Sequence, residues 1–228
     1  IEQFIMPMNR KATARFYRSD EELATDIVIA YKAFIAQVYD AGCRNLQFDD
    51  CSWGCLVDPK NTAFFGTDEA GIERIKRQFL DINNRVLDGL PHDLCVNTHV
   101  CRGNFHSTWA CEGGYDDVAD ELLAKEHVKA FFLEFDDERS GGFAPLAKVP
   151  AGTKVVLGLI TTKHPELESK ADVIARIHEA AKYMPLENLY LSPQCGFASC
   201  EIGNKLTDLE QWNKLKLVKE IAEKVWGK

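Results

Sequence analysis

The run VNTHVCRGNF, Val96 to Phe105, sets a histidine and a cysteine two residues apart at the end of an apolar segment, directly before a glycine. In a strand successive side chains alternate, so His99 and Cys101 would point to one side and could share a metal ion. A lone H-x-C pair is a weak signal, because a packed cysteine beside a surface histidine spells the same letters. Two other segment ends strengthen it. FFLEFDD puts Glu134 at the end of a very hydrophobic run, and LSPQCGFASC puts Cys195 in a turn with Pro193 and Gly196. Taken singly, Glu134 reads as a solvated loop acid beside Asp136 and Asp137, and Cys195 as an inert thiol. Taken together, histidine, cysteine and carboxylate are the donor set that binds zinc, typically with four ligands. Cys200 is near enough to Cys195 to rival it. Cys51 and Cys55, spaced C-x₃-C, offer a second metal site but have no matching pair.

The elements that must position these residues are written in an alternation of short β-rich runs with longer helical patterns. The strands predicted are residues 2–6, 45–49, 94–99, 130–135, 154–160 and 188–192, most of them apolar on both faces, as buried parallel strands are. Ser19 to Glu22, SDEE, is a capping box opening a helix whose apolar stripe is Ile27, Tyr31, Phe34 and Val38; AGC at 41–43 stops it. A second capping box, TDLE at Thr207 to Glu210, opens the last helix, which runs through Trp212, Leu215, Leu217, Val218 and Ile221 to cover the sheet. Six such units are two short of a (β/α)₈ barrel, in which strand C-termini carry the active site. The chain starts within a strand, so the N-terminal part of a larger barrel is expected to be absent. An open doubly wound sheet is the alternative.

Composition narrows the partners. A net charge of −8 disfavours nucleic acid and anionic membrane surfaces, and 46% hydrophobic residues suffice for a sizeable core. No apolar run approaches the roughly 20 residues of a membrane span, and the start lacks the order of a signal peptide, so the cytoplasm is the expected compartment. Eight cysteines in 228 residues are too sparse for a disulfide scaffold and read mostly as thiols. Neither a phosphate-binding loop nor a dinucleotide fingerprint occurs, so no nucleotide cofactor is expected.

At this point NTHVCRGNF, FFLEFDDERSGGFAPL, LGLITTKHPELESKADVIARIHEAAKY and LSPQCGFAS resemble, over nearly the whole chain, the C-terminal catalytic domain of cobalamin-independent methionine synthase and its single-domain relatives. The resemblance implies a (β/α)₈ barrel whose zinc ligands fall on His99, Cys101, Glu134 and Cys195. Residues 1–228 would then form one catalytic barrel domain, about the C-terminal three fifths of a full barrel, with the first two strands absent. NLQFDD resembles the family segment that holds the amino group of homocysteine, with Asp49 at the matching position.

The reaction implied is transfer of a methyl group from 5-methyltetrahydrofolate, or a related donor, to the thiol of homocysteine, giving methionine. Zinc coordination would deprotonate that thiol. A general acid must protonate the folate leaving group, and Asp50 and His106 are the candidates. Trp53 and Trp109 either stack on the pterin or pack as core aromatics. Lys163 either meets a substrate carboxylate or is a solvated lysine. Alkylation of another thiol, such as coenzyme M, and a non-catalytic zinc-stabilised barrel that binds a small molecule are the alternative functions.

Overall fold

The computed structural model describes residues 7–58, 60 and 65–227. Five parallel strands form one sheet: β1 (Asn45–Asp49), β2 (Cys95–Val100), β3 (Ala130–Glu134), β4 (Lys154–Ile160) and β5 (Leu189–Pro193). They match five of the six strands expected from sequence to within one residue at each end. The sixth, at residues 2–6, lies outside the described residues.

Strand order is sequential, β1-β2-β3-β4-β5. A doubly wound sheet reverses its order at a switch point. This one never does, so the open-sheet alternative is overturned in favour of the arc of a (β/α)₈ barrel. Register then lines up the strand ends: Asp49 lies opposite His99, His99 opposite Phe132, and Glu134 opposite Gly158.

Among the described residues the helices are α1 (Pro7–Thr13), α2 (Asp20–Asp40), α3 (Cys51–Leu56), α4 (Glu69–Leu87), α5 (Lys170–Ala180) and α6 (Asp208–Trp226). None is long and apolar enough to cross a membrane. In α2 the Ser19 side chain accepts from the Glu22 N–H, while the Glu22 carboxylate turns to the Arg18 N–H, so the expected box is only half closed. The buried stripe of α2 is Leu23, Ala24, Ile27, Val28 and Ile35; Phe34 is exposed, one position off the expected face. In α6 the Thr207–Glu210 box is complete, and Leu217 and Ile221 are buried whereas Trp212 faces solvent.

Helices are missing from two expected places. Between β2 and β3 lie a long loop, a 3-10 turn (Asp116–Val118) and a π turn (Ala119–Leu123). Between β3 and β4 lie two 3-10 turns, Glu138–Ser140 and Ala144–Lys148. Glycines 103, 113, 114, 141 and 142 and Pro145 and Pro150 interrupt these stretches, and glycine and proline disfavour helix interiors. The long loop after β2 stays beside the strand end, where it shapes the site.

The alternate strand faces divide the core. Phe48, Val96, Phe131, Leu133, Val155, Leu157 and Leu189 are buried in one hydrophobic cluster with Phe79, Ile82, Val86, Ile177 and Ile221 from the helices. Gly158 in β4 sits where any side chain collides: a Cβ there would lie 2.6 Å from the Gln194 Cα and 2.8 Å from the Leu133 carbonyl oxygen. Both obstacles are backbone atoms and must move together with the strands. Gly158→Ala is therefore expected to lower stability by about 1–3 kcal/mol, read from thermal or urea unfolding; a wild-type midpoint would contradict this packing.

Candidate metal centre

Four side chains from three strand ends converge. One ligand atom from each of His99, Cys101, Glu134 and Cys195 lies within 4.8 Å of the other three. His99 is in the last turn of β2's pleat and Cys101 immediately follows the strand, so alternation brings both to one side. Glu134 closes β3, and Cys195 follows β5 by two residues. The Cys101 and Cys195 sulfur atoms are 3.8 Å apart.

Each ligand is oriented by a neighbour. The His99 Nδ1 is 3.2 Å from the Phe132 carbonyl oxygen. A carbonyl only accepts, so Nδ1 carries a hydrogen, and Nε2 is the nitrogen left to face a metal once its own proton is lost. Glu134 is fully buried; its Oε2 accepts the Arg102 backbone N–H at 3.1 Å and lies 3.6 Å from an Arg139 guanidinium nitrogen. The Tyr115 hydroxyl accepts both the Glu134 N–H and an Arg102 guanidinium N–H, each at 2.9 Å. The Cys195 sulfur lies 3.7 Å from the Ser199 hydroxyl. The Asn104 amide donates to the Gly196 carbonyl and to Ser199, joining the loop after β2 to the loop after β5.

Whether these residues suit a cation is answered by two orphaned atoms. His99 Nε2 and Glu134 Oε1 are buried with no hydrogen-bond partner among the described residues. Buried polar atoms are rarely left so, and a shared ion would satisfy both. The donor set, two sulfurs, an imidazole and a carboxylate, is that of zinc.

Hydrogen bonding with Cys101, helped by His99, holds the Cys195 thiol down at about 3 despite its burial. Burial works against the His99 charge, yet the adjacent Cys195 and Glu134 raise it to about 9. Hydrogen bonding with Cys195 and Cys51 pushes the Cys101 thiol well above the ordinary range. Burial raises the Glu134 carboxyl, opposed chiefly by Lys163 and then by Arg102 and Arg139.

A polar cavity of about 530 Å³ opens beside the cluster, lined by Gln47, Asp49, His99, Ser192, Gln194 and Cys195 among others. Of the residues expected around the metal, Asp49 lines this cavity. Asp50 and His106 do not: Asp50 is buried and accepts from the Asn83 amide at 2.7 Å, and His106 faces the Gly203 carbonyl in a turn with φ 46°. Trp53 is wholly buried, edge-on to Phe79, so it packs as a core aromatic and offers no face for stacking. Trp109 is outside the cavity, with Arg139 over its ring at 4.9 Å.

Lys163 is buried, not solvated, and its positive charge acts on Glu134. Cys200 is absent from the ligand cluster. Cys51 is not among the four converging residues but lies beside them: hydrogen bonding with Cys101 lowers its thiol. Tyr115, Arg102 and Arg139 were not anticipated from sequence. Only the position of Arg102, directly after Cys101, was available to suggest one of them.

Because the Tyr115 hydroxyl satisfies two buried donors, Tyr115→Phe is expected to destabilise the fold by about 1–3 kcal/mol, measured by denaturant unfolding. A variant as stable as the wild type would show that those donors find other partners.

Comparison with known proteins agrees with this geometry. The family model described as the catalytic domain of cobalamin-independent synthase matches residues 11–223. The uncharacterized protein YxjH of Bacillus subtilis (strain 168) is 46% identical over 217 residues, covering 95% of this chain and 58% of its own length. Among solved structures, a Listeria monocytogenes protein given provisionally as a vitamin-B12-independent methionine synthase is 34% identical with a TM-score of 0.73, covering 92% of this chain and 57% of that one. A B12-independent methionine synthase from Shewanella sp. W3-18-1, in complex with selenomethionine, shares the fold at TM-score 0.70 and 20% identity, covering 93% of this chain and 57% of that one. The chain thus spans less than three fifths of the length of each of these three proteins. With a family match running through all five strands and all four converging side chains, the chain belongs to the family of cobalamin-independent synthase catalytic domains.

Proposed function

We propose that this chain is the catalytic barrel portion of a zinc-dependent methyltransferase that moves a methyl group from 5-methyltetrahydrofolate, or a related donor, to the thiol of homocysteine, giving methionine. The observation that carries the reading is the convergence of His99, Cys101, Glu134 and Cys195 beside an open polar cavity. Those four residues would hold the zinc, and a bound zinc ion supplies Lewis acidity that turns a substrate thiol into a thiolate at neutral pH.

The remaining work falls to the chain's own residues. His99 and Cys195 line the cavity, so the cluster is approachable from it, unlike the closed surroundings of a purely structural site. Asp49, in the same cavity and opposite His99 in register, offers a carboxylate to a substrate ammonium group. Gln47 donates to Asp49 at 3.1 Å and fixes its direction. Lys163, Arg102 and Arg139 favour the charged form of Glu134 against its burial. Neither Asp50 nor His106 reaches the cavity, so neither is proposed as the acid that protonates the donor.

About one zinc ion per chain is expected by elemental analysis. Cys101→Ser and Cys195→Ser should each lose metal binding and, in a methyltetrahydrofolate-dependent assay, homocysteine methylation. Full metal retention by both variants would overturn the assignment. A pH dependence follows as well. His99, protonated up to about 9, and the protonated Cys101 thiol must both lose a proton to bind metal. Zinc affinity should therefore rise with pH through neutrality, with about two protons released per ion. Calorimetric titration in buffers of different ionisation heat measures that number, and uptake without proton release would contradict it.

A further inference from the structure

Behind the metal cluster lies a second pair of thiols that the proposed reaction does not use. The Cys111 and Cys55 sulfur atoms are 3.9 Å apart. Cys55 is in α3 and partly exposed, whereas Cys111 is buried in the long loop after β2; both are reduced. The backbones that carry them already touch on either side of the pair. A Cβ on Gly54 would lie 2.1 Å from the Cys101 carbonyl oxygen, and one on Gly113 would lie 2.1 Å from the Val57 carbonyl oxygen. The Cys111 N–H donates to the Arg102 carbonyl at 3.0 Å, and the Arg102 N–H donates to Glu134.

We propose that Cys55 and Cys111 are a redox-responsive dithiol that closes into a disulfide and clamps α3 to the loop segment that runs from Cys101. The oxidant is a peroxide. One thiol loses its proton and attacks the O–O bond, becomes a sulfenic acid and releases hydroxide; the second, deprotonated in turn, attacks that sulfur, forms the S–S bond and releases the remaining oxygen as hydroxide. With two protons from the thiols, the sum is two thiols and one peroxide giving one disulfide and two waters. An S–S bond is about 2.05 Å long, so the sulfur atoms must draw in from their present separation. The glycine contacts leave little slack, and the movement is passed to the Cys101–Arg102 backbone.

The pairing itself does not depend on the metal reading; only its consequence for the ligand segment does. Zinc content is therefore measured on the same samples, so that failure of one reading is not mistaken for failure of the other. The full chain, zinc-loaded and zinc-free, is treated with hydrogen peroxide, remaining thiols are alkylated, and the protein is digested without reduction. Mass spectrometry with fragmentation should find a peptide pair joined through Cys55 and Cys111, lighter by two hydrogens and split by dithiothreitol. It should vanish in Cys55→Ser, Cys55→Ala and Cys111→Ser. Hydrogen exchange over residues 101–113 should slow roughly fivefold or more in the oxidised protein. The proposal is overturned if Cys55 and Cys111 remain alkylatable while other cysteines oxidise, if Cys55 pairs with Cys51 instead, or if the exchange of that segment is unchanged.

Discussion

The carboxylate of Glu134 is the charge around which this part of the molecule is organised. It is wholly buried, and an isolated carboxylate taken out of water is prohibitively costly. Here it is compensated by the Arg102 N–H, by two guanidinium groups and by Lys163. The hydrogen bond and both guanidinium contacts fall on Oε2. Oε1 remains without a protein partner, as does His99 Nε2. A cation shared by imidazole, carboxylate and two sulfurs would complete a balance that the protein alone leaves open.

The sheet makes that arrangement possible because its strands run in sequential order and one register. Asp49, His99 and Phe132 are successive partners across three strands, and Glu134 pairs with Gly158 in the fourth. The loops then lock the ends together. Asn204 donates to Asn104 and to the Thr162 carbonyl, so the loops after β2, β4 and β5 share one polar network around Cys195. Rigid strand ends joined by satisfied side-chain networks are the setting in which a ligand set can be held before its ion arrives.

What could be read from the sequence was whatever depends on local period. Alternation along Val96 to Cys101 placed His99 and Cys101 on one side, and the apolar runs ending at Glu134 and before Cys195 marked their strand ends. The fates of Asp50, Trp53 and Lys163 were not legible, because they depend on which face of a neighbouring element covers them. Trp53 is one turn into α3, whose packing on Phe79 joins residues 26 positions apart. Lys163 follows β4 by three residues, and its influence on Glu134 depends on the pairing of β4 with β3. Tyr115 was invisible for a related reason: its hydroxyl serves a strand end from a loop with no periodicity to betray it. The single-turn connections after β2 and β3 likewise defeated a pattern of regular strand–helix alternation, since their glycines and prolines mark turns without saying how many.

The metal centre is tested most directly by X-ray absorption at the zinc edge of the loaded protein. Two sulfur scatterers near 2.3 Å, with nitrogen or oxygen scatterers at about 2.0–2.2 Å, are the predicted shell. A shell without sulfur, or with a single sulfur, would contradict the convergence of Cys101 and Cys195 on one ion.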